Sequence, residues 1–148
     1  MTTHPYIRAY LAGIAVPTLF LLLAVTGFFV ARYVLDVPVP IERAIPFPMA
    51  IVPNLFGVWN IFYVLLHSRR HLPIGLHGAL LPFVLAPIAF TVATSLGLLS
   101  VAPRGLVLFQ ALTIPYAYVA TLFVCALVVY YLVWKYLVGF LNGLLGIA

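Results

Sequence analysis

The chain has 148 residues, of which 66% are hydrophobic and 6% charged, and its formal net charge is +5. An average soluble domain carries about 25% charged residues, so this composition excludes a domain with an ordinary water-facing surface. The basic residues lie at the ends of apolar runs, where anionic lipid headgroups are the expected partners and nucleic acid is not. We therefore expect one small membrane domain over residues 1–148.

The first apolar run, Leu11–Ala31, contains no charged residue and lies between Arg8 and Arg32. A helix of this length is long enough to cross a hydrocarbon core of about 30 Å, which predicts a first membrane helix over residues 9–31. A proline-rich connector over residues 37–48 follows, because proline lacks a backbone donor and disfavours helix in the residue before it. The second helix is predicted over residues 49–67.

Turn residues separate the last two apolar runs. Pro73 and Gly75 precede a third helix predicted over residues 75–100, and the Pro103 to Gly105 turn precedes a fourth over 105–136. A helix of this last length, about 45 Å, exceeds the hydrocarbon thickness. We therefore expect a kink at Pro115, with residues 105–114 in or near the interface, and a short amphipathic tail over 137–148.

These elements predict an all-α, polytopic integral membrane protein that forms a four-helix bundle with short loops. Inside lipid, helices approach closely where small residues line one face. Such stripes occur on the first helix (Gly13, Pro17, Ala24, Gly27 and Ala31) and on the third (Gly78, Pro82, Ala86, Ala89, Ala93 and Gly97). We expect Gly27 and Ala93 to be buried in helix–helix contacts.

A basic turn is predicted to face lipid headgroups. It contains His67, Arg69, Arg70, His71 and His77. A zinc site needs three or four ligands, and no cysteine pair or carboxylate lies near these histidines in the sequence, while the arginines repel a cation. We expect no metal and no cofactor here. The alternative is that His77 is an axial ligand to a tetrapyrrole of a larger complex.

Polar residues inside the apolar runs are the other candidates for a site. Asn60, Thr91 and Gln110 are each costly in hydrocarbon unless they are paired. The simplest interpretation is interhelical hydrogen bonds, each contributing about 0.6 to 2 kcal/mol. The alternative is that these three side chains line a hydrated pathway.

The types of residue that are missing restrict the function. No charged residue falls in the central part of any predicted helix, which disfavours coupled transport, and no serine elbow or pair of carboxylates predicts catalytic residues. The first hypothesis is a non-catalytic accessory or scaffold subunit of a larger membrane assembly, bound to other membrane subunits. The second is a homo-oligomeric channel or passive facilitator, and the third is a lipid-handling membrane enzyme.

The distribution of basic residues predicts the orientation. With the N-terminus inside, the cytoplasmic side holds Arg8, Arg69, Arg70 and Lys135, and the outer side holds Arg32, Arg43 and Arg104. Positive residues are enriched on the cytoplasmic side of membrane proteins. We therefore expect a bacterial-type inner membrane with both termini in the cytoplasm.

This orientation predicts the labelling of a cysteine at Ser68 in a Cys125→Ala background. The new thiol should react in intact cells with membrane-permeant maleimides and not with impermeant ones, because the predicted turn faces the cytoplasm. Reaction with the impermeant reagent would reverse the topology.

Overall fold

The structure is a computed structural model that describes residues 4–67 and 72–147, and most of these residues are helical. The helices are α1 (Pro5–Tyr33), α2 (Ile41–Ala44), α3 (Val52–His67), α4 (Ile74–Ser95), α5 (Tyr116–Leu132) and α6 (Gly139–Leu144). Two π-helical turns, Phe47–Ile51 and Val133–Val138, join α2 to α3 and α5 to α6. Three strands, β1 (Leu99–Ala102), β2 (Gly105–Leu108) and β3 (Leu112–Pro115), lie between α4 and α5.

Within the described residues, four helical segments are long and apolar enough to cross a membrane, as the sequence predicts. They are Pro5–Tyr33, Ile41–Leu66, Ile74–Ser95 and Tyr116–Leu144. The second segment begins earlier than predicted, because α2 and the first π-helical turn continue into α3. The proline-rich connector is therefore non-helical only between the end of α1 and Pro40.

The prediction of an all-α fold is wrong, because residues 99–115 form a three-stranded antiparallel sheet of order β1-β2-β3. Pro103 and Arg104 form the turn between the first two strands, which pair Ala102 with Gly105. Phe109 and Gln110 have positive φ angles of 53° and 57°, and the Ala111 N–H donates to the Leu108 carbonyl at 3.1 Å. These turns replace the predicted first part of the fourth helix.

Pro115 ends the sheet and precedes α5, so it does not kink a longer helix. Proline suits a position just before a helix because it has no backbone N–H to satisfy. The fourth candidate span then runs to Leu144 and includes most of the predicted C-terminal tail. Its predicted boundaries of 105–136 are therefore corrected at both ends.

The helices pack as two antiparallel pairs that meet near the chain termini. α1 packs mainly on α3, and α4 mainly on α5. Gly13 lies directly against the backbone of Phe56, and Gly78 lies against the ring of Trp134. The hydrophobic core is formed by Val16, Phe56, Leu81, Trp134 and Val138. It joins the two pairs in the half of the bundle where α1 begins.

The pairs separate toward the sheet, where apolar crevices lie between them. One crevice of about 280 Å³ is lined by residues of α1, α3 and α5, including Ala24, Phe56 and Tyr130. A second, of about 270 Å³, lies between α1, α4 and the sheet and is lined by Phe28, Ala93 and Phe109 among others. The bundle is thus tightly packed at one end and open at the other.

The predicted seam of small residues holds only in the packed half. Gly13 and Gly78 are buried. Gly27 is exposed, and a Cβ atom added to it would meet nothing within 4 Å, so the prediction that it is buried is wrong. Ala93 is half-buried and lines a crevice. The small residues recur along the whole length of each striped helix. A neighbouring helix lies close to only part of that length.

Gly78→Ala should lower the melting temperature of the purified protein in detergent, because the new methyl group overlaps the Trp134 ring. Overpacking of this kind destabilises by about 1 to 3 kcal/mol. Gly27→Ala is the matched control and should leave the melting temperature unchanged or higher. Equal melting temperatures for Gly78→Ala and the wild type would contradict this packing.

Candidate functional site

The main cluster of buried polar side chains lies where α3, α4 and the C-terminal part of the fourth span meet. We call it the polar junction. It is formed by four buried residues, Asn60, His77, Trp134 and Asn142, and by the half-buried Trp59, all in the packed half of the bundle. Since polar side chains inside an apolar chain are the default candidates for function, their partners decide what this cluster can do.

The two asparagines of the junction form a reciprocal amide pair. The Asn60 Nδ2 donates to Asn142 Oδ1 at 2.8 Å, and the Asn142 Nδ2 donates to Asn60 Oδ1 at 3.1 Å. The Asn60 Nδ2 also donates to the Ala9 carbonyl at 2.8 Å. Both side chains are 0% exposed. The pair therefore links α1, α3 and α6, and its amide groups bind one another.

His77 and Trp59 form a second reciprocal pair. The Trp59 indole N–H donates to the His77 carbonyl at 2.9 Å, and the His77 Nε2 lies 2.9 Å from the Trp59 carbonyl. A carbonyl only accepts, so Nε2 carries the proton in this contact. The two rings stack with centroids 5.0 Å apart, and the Tyr63 ring lies 5.4 Å from the imidazole. The imidazole therefore locks α3 to the first turn of α4.

The structure places the His77 ring inside the bundle, where it is 3% exposed, and not in a headgroup-facing turn as the sequence predicts. His77 lies in the first turn of α4, and the adjacent Gly75 and Gly78 allow Tyr131 and Trp134 to pack closely on the same part of this helix. Close approach of aromatic rings at these glycines encloses the imidazole. Its position near the start of a helix gave no indication of this burial.

Trp134 completes the junction and is fully buried. Its ring lies 5.6 Å from the His77 ring and 5.8 Å from the Phe56 ring. Its indole N–H has no hydrogen-bond partner in the described part of the chain. An unsatisfied buried donor of this kind costs about 1 to 3 kcal/mol, so the packing of the large ring must offset it.

The other predicted polar residues lie away from the junction. The Thr91 hydroxyl donates to the Pro87 carbonyl of its own helix at 2.9 Å. Gln110 is exposed in the turn between β2 and β3, at the opposite end of the bundle from Asn60. Asn60, Thr91 and Gln110 therefore do not line one path through the described residues.

The remaining residues of the predicted basic turn fall at the edge of the described ranges. His67 is the last residue of α3. Arg69, Arg70 and His71 lie outside the described residues. Their proposed contact with lipid headgroups stays a prediction.

Titratable side chains do not converge on a catalytic or metal site within residues 4–67 and 72–147. No group of three or more His, Cys, Asp or Glu side chains there is close enough to hold a metal ion. Glu42 pairs with Arg32 at 2.9 Å, between the connector and the end of α1. Cys125 is exposed on α5.

Sequence reasoning missed three members of the junction: Trp59, Trp134 and Asn142. It assigned the region of Asn142 to an amphipathic tail and named neither tryptophan as a candidate site residue. The available signal was the spacing of the two residues: Asn142 follows Trp134 by eight, about two helical turns, which places both on one face if the helix continues.

Comparisons with protein families, with curated proteins and with solved structures found no match. The function must therefore be inferred from the chain itself.

A double-mutant cycle tests the amide pair. Asn60→Leu or Asn142→Leu alone should destabilise the protein by about 1 to 3 kcal/mol, because each leaves a buried amide unpaired. The double variant should lose less than the sum of the single losses, since no unpaired side-chain amide remains. Thermal or denaturant unfolding in mild detergent measures these differences.

Asn54→Leu is the control, because this asparagine is exposed and should cost less than Asn60→Leu. Strict additivity of the Asn60 and Asn142 substitutions would show that the two side chains do not interact.

Proposed function

We propose that the protein is a small integral membrane protein without catalytic activity of its own, and that it acts as an accessory or scaffold subunit of a larger membrane assembly. The observation that carries this proposal is a contrast between its interior and its surface. The amide pair and the imidazole inside the bundle bond to other groups of the same chain, whereas large apolar helix faces have no neighbour within it.

The interior supports a structural role. The amide pair and the His77–Trp59 pair connect helices, and within the described residues the Trp134 indole N–H is the one buried side-chain donor without a partner. The crevices described above are lined almost entirely by apolar side chains. Catalysis needs a positioned acid, base or nucleophile, and the Tyr130 phenol is the one titratable side chain among the described lining residues of the two crevices.

The surface supports binding to other membrane helices. Only 11% of the most apolar window of the first span and 6% of that of the fourth are buried within the chain. Around Gly27 the first helix is open on a side that carries small residues, where the backbone of a partner helix can approach closely. In a subunit of a larger assembly such faces bind partner helices, and in a bundle that stands alone they face lipid.

The channel hypothesis has less support in these contacts. A pathway for a polar solute needs groups that replace its hydration, and Asn60 and Thr91 use their polar atoms on the Ala9, Asn142 and Pro87 groups. A homo-oligomeric pore would have to be formed by apolar outer faces.

Purification of the tagged full-length chain from its native membrane in mild detergent tests the proposal. We expect a complex with a second polypeptide in fixed stoichiometry, measured by native mass spectrometry. Isolation as a stable homo-oligomer would contradict it. Selective flux in proteoliposomes of the purified chain, abolished by Asn60→Leu, would establish the channel instead.

A further inference from the structure

Lys135 is a cation inside the fourth candidate span, and no acidic side chain of the described residues pairs with it. The sequence contains two acidic residues, Asp36 and Glu42. Both follow α1, at the end of the bundle opposite to Lys135, and Glu42 already pairs with Arg32. A charge in an apolar segment is stable only near the interface or beside a partner of opposite charge. No acidic side chain of this sequence therefore neutralises Lys135.

Two tyrosine rings hold the ammonium group. The Lys135 Nζ lies 5.8 Å from the centre of the Tyr131 ring and 5.2 Å from that of Tyr136. Tyr131 in turn packs against Gly75, so closely that a Cβ there would lie 2.7 Å from its Cε2 atom. Cation–π contacts favour a fixed position of the ammonium but do not neutralise it. The lysine, which is exposed, is thus preorganised on the outer surface.

The position along the span places this group at a membrane boundary. Gly75 is the second residue of α4, whose 22 residues correspond to about 33 Å, close to the hydrocarbon thickness. At the other end, the outer edges of β1 and β3 have no partner strand, and unpaired backbone groups need water or headgroups. Tyr116 follows that sheet, and Lys135 lies nineteen residues further, about 28 Å of helix.

We propose that Lys135, together with Tyr131 and Tyr136, binds the phosphate of an anionic phospholipid at this boundary. Tyrosine rings favour the headgroup level, and an exposed lysine there meets phosphate oxygens directly. A carboxylate on a partner helix is the competing source of charge. The lipid is favoured because tyrosine rings beside a basic residue are typical of the headgroup level, and the Tyr136 ring is accessible there. This inference rests on the proposed membrane insertion but not on the proposed partner subunit.

The test is a titration of the purified full-length protein in detergent with phosphatidylglycerol or phosphatidylcholine. Native mass spectrometry counts the retained lipids, and thermal stability gives the apparent affinity. Phosphatidylglycerol should bind more tightly than phosphatidylcholine. Lys135→Gln should weaken its binding about fivefold, which corresponds to about 1 kcal/mol for one basic residue at a lipid surface.

Two further variants make the result specific. Lys135→Arg keeps the charge and should retain the affinity. Arg43→Gln removes one charge at the other end of the bundle and should also retain it, since Arg43 is exposed and distant from the tyrosine pair. Comparable unfolding temperatures of all variants without added lipid exclude a folding defect as the cause.

The proposal is overturned if Lys135→Gln binds phosphatidylglycerol as the wild type does, or if phosphatidylcholine binds equally well. Unchanged lipid retention with loss of a co-purifying protein would assign Lys135 to a partner carboxylate instead. Lipid retention through Lys135 in a chain that purifies alone would support this site and count against the accessory-subunit proposal.

Discussion

The fold depends on a contact between two asparagine side chains that are 82 positions apart in the sequence. Asn60 and Asn142 exchange hydrogen bonds in both directions, and Asn60 also holds the backbone of α1 at Ala9. Apolar packing inside lipid gives helices little preference for one register, whereas a buried amide is satisfied at only one position. The pair therefore fixes the positions of α1, α3 and α6 along one another. In this arrangement the Trp134 ring packs against Gly78 between the two helix pairs.

This alignment divides the bundle into two halves with different roles. The half with the junction is closed by aromatic rings, glycines and hydrogen bonds, and the half near the sheet contains apolar crevices and uncovered helix faces. In the closed half the polar side chains connect helices. The open half leaves surface that another membrane helix can cover, and this division is the basis on which we propose a scaffolding role.

Sequence patterns predict the number and approximate position of the long helices, because length and apolar composition determine what can cross a membrane. They fail at residues 105–114, which are apolar enough to predict helix but form part of the sheet. Phe109 and Gln110 adopt positive φ angles in its turn, and neither residue type is typical of that conformation. They identify Asn60 as a residue that needs a partner but not the partner itself, since Asn142 is distant in sequence. The sequence also did not indicate that His77 is buried. Its burial depends on the Trp59 ring of α3 and on the Trp134 ring of the π-helical turn between α5 and α6.

The claim that the open faces bind another polypeptide is tested most directly by site-specific photo-cross-linking in native membranes. A photoreactive residue at Leu23 or Leu122, which are 68% and 60% exposed, should cross-link to one and the same partner protein. The same residue at the buried Val138 should give no intermolecular product. Products at Leu23 and Leu122 that contain only lipid or a second copy of this chain would contradict a scaffold subunit.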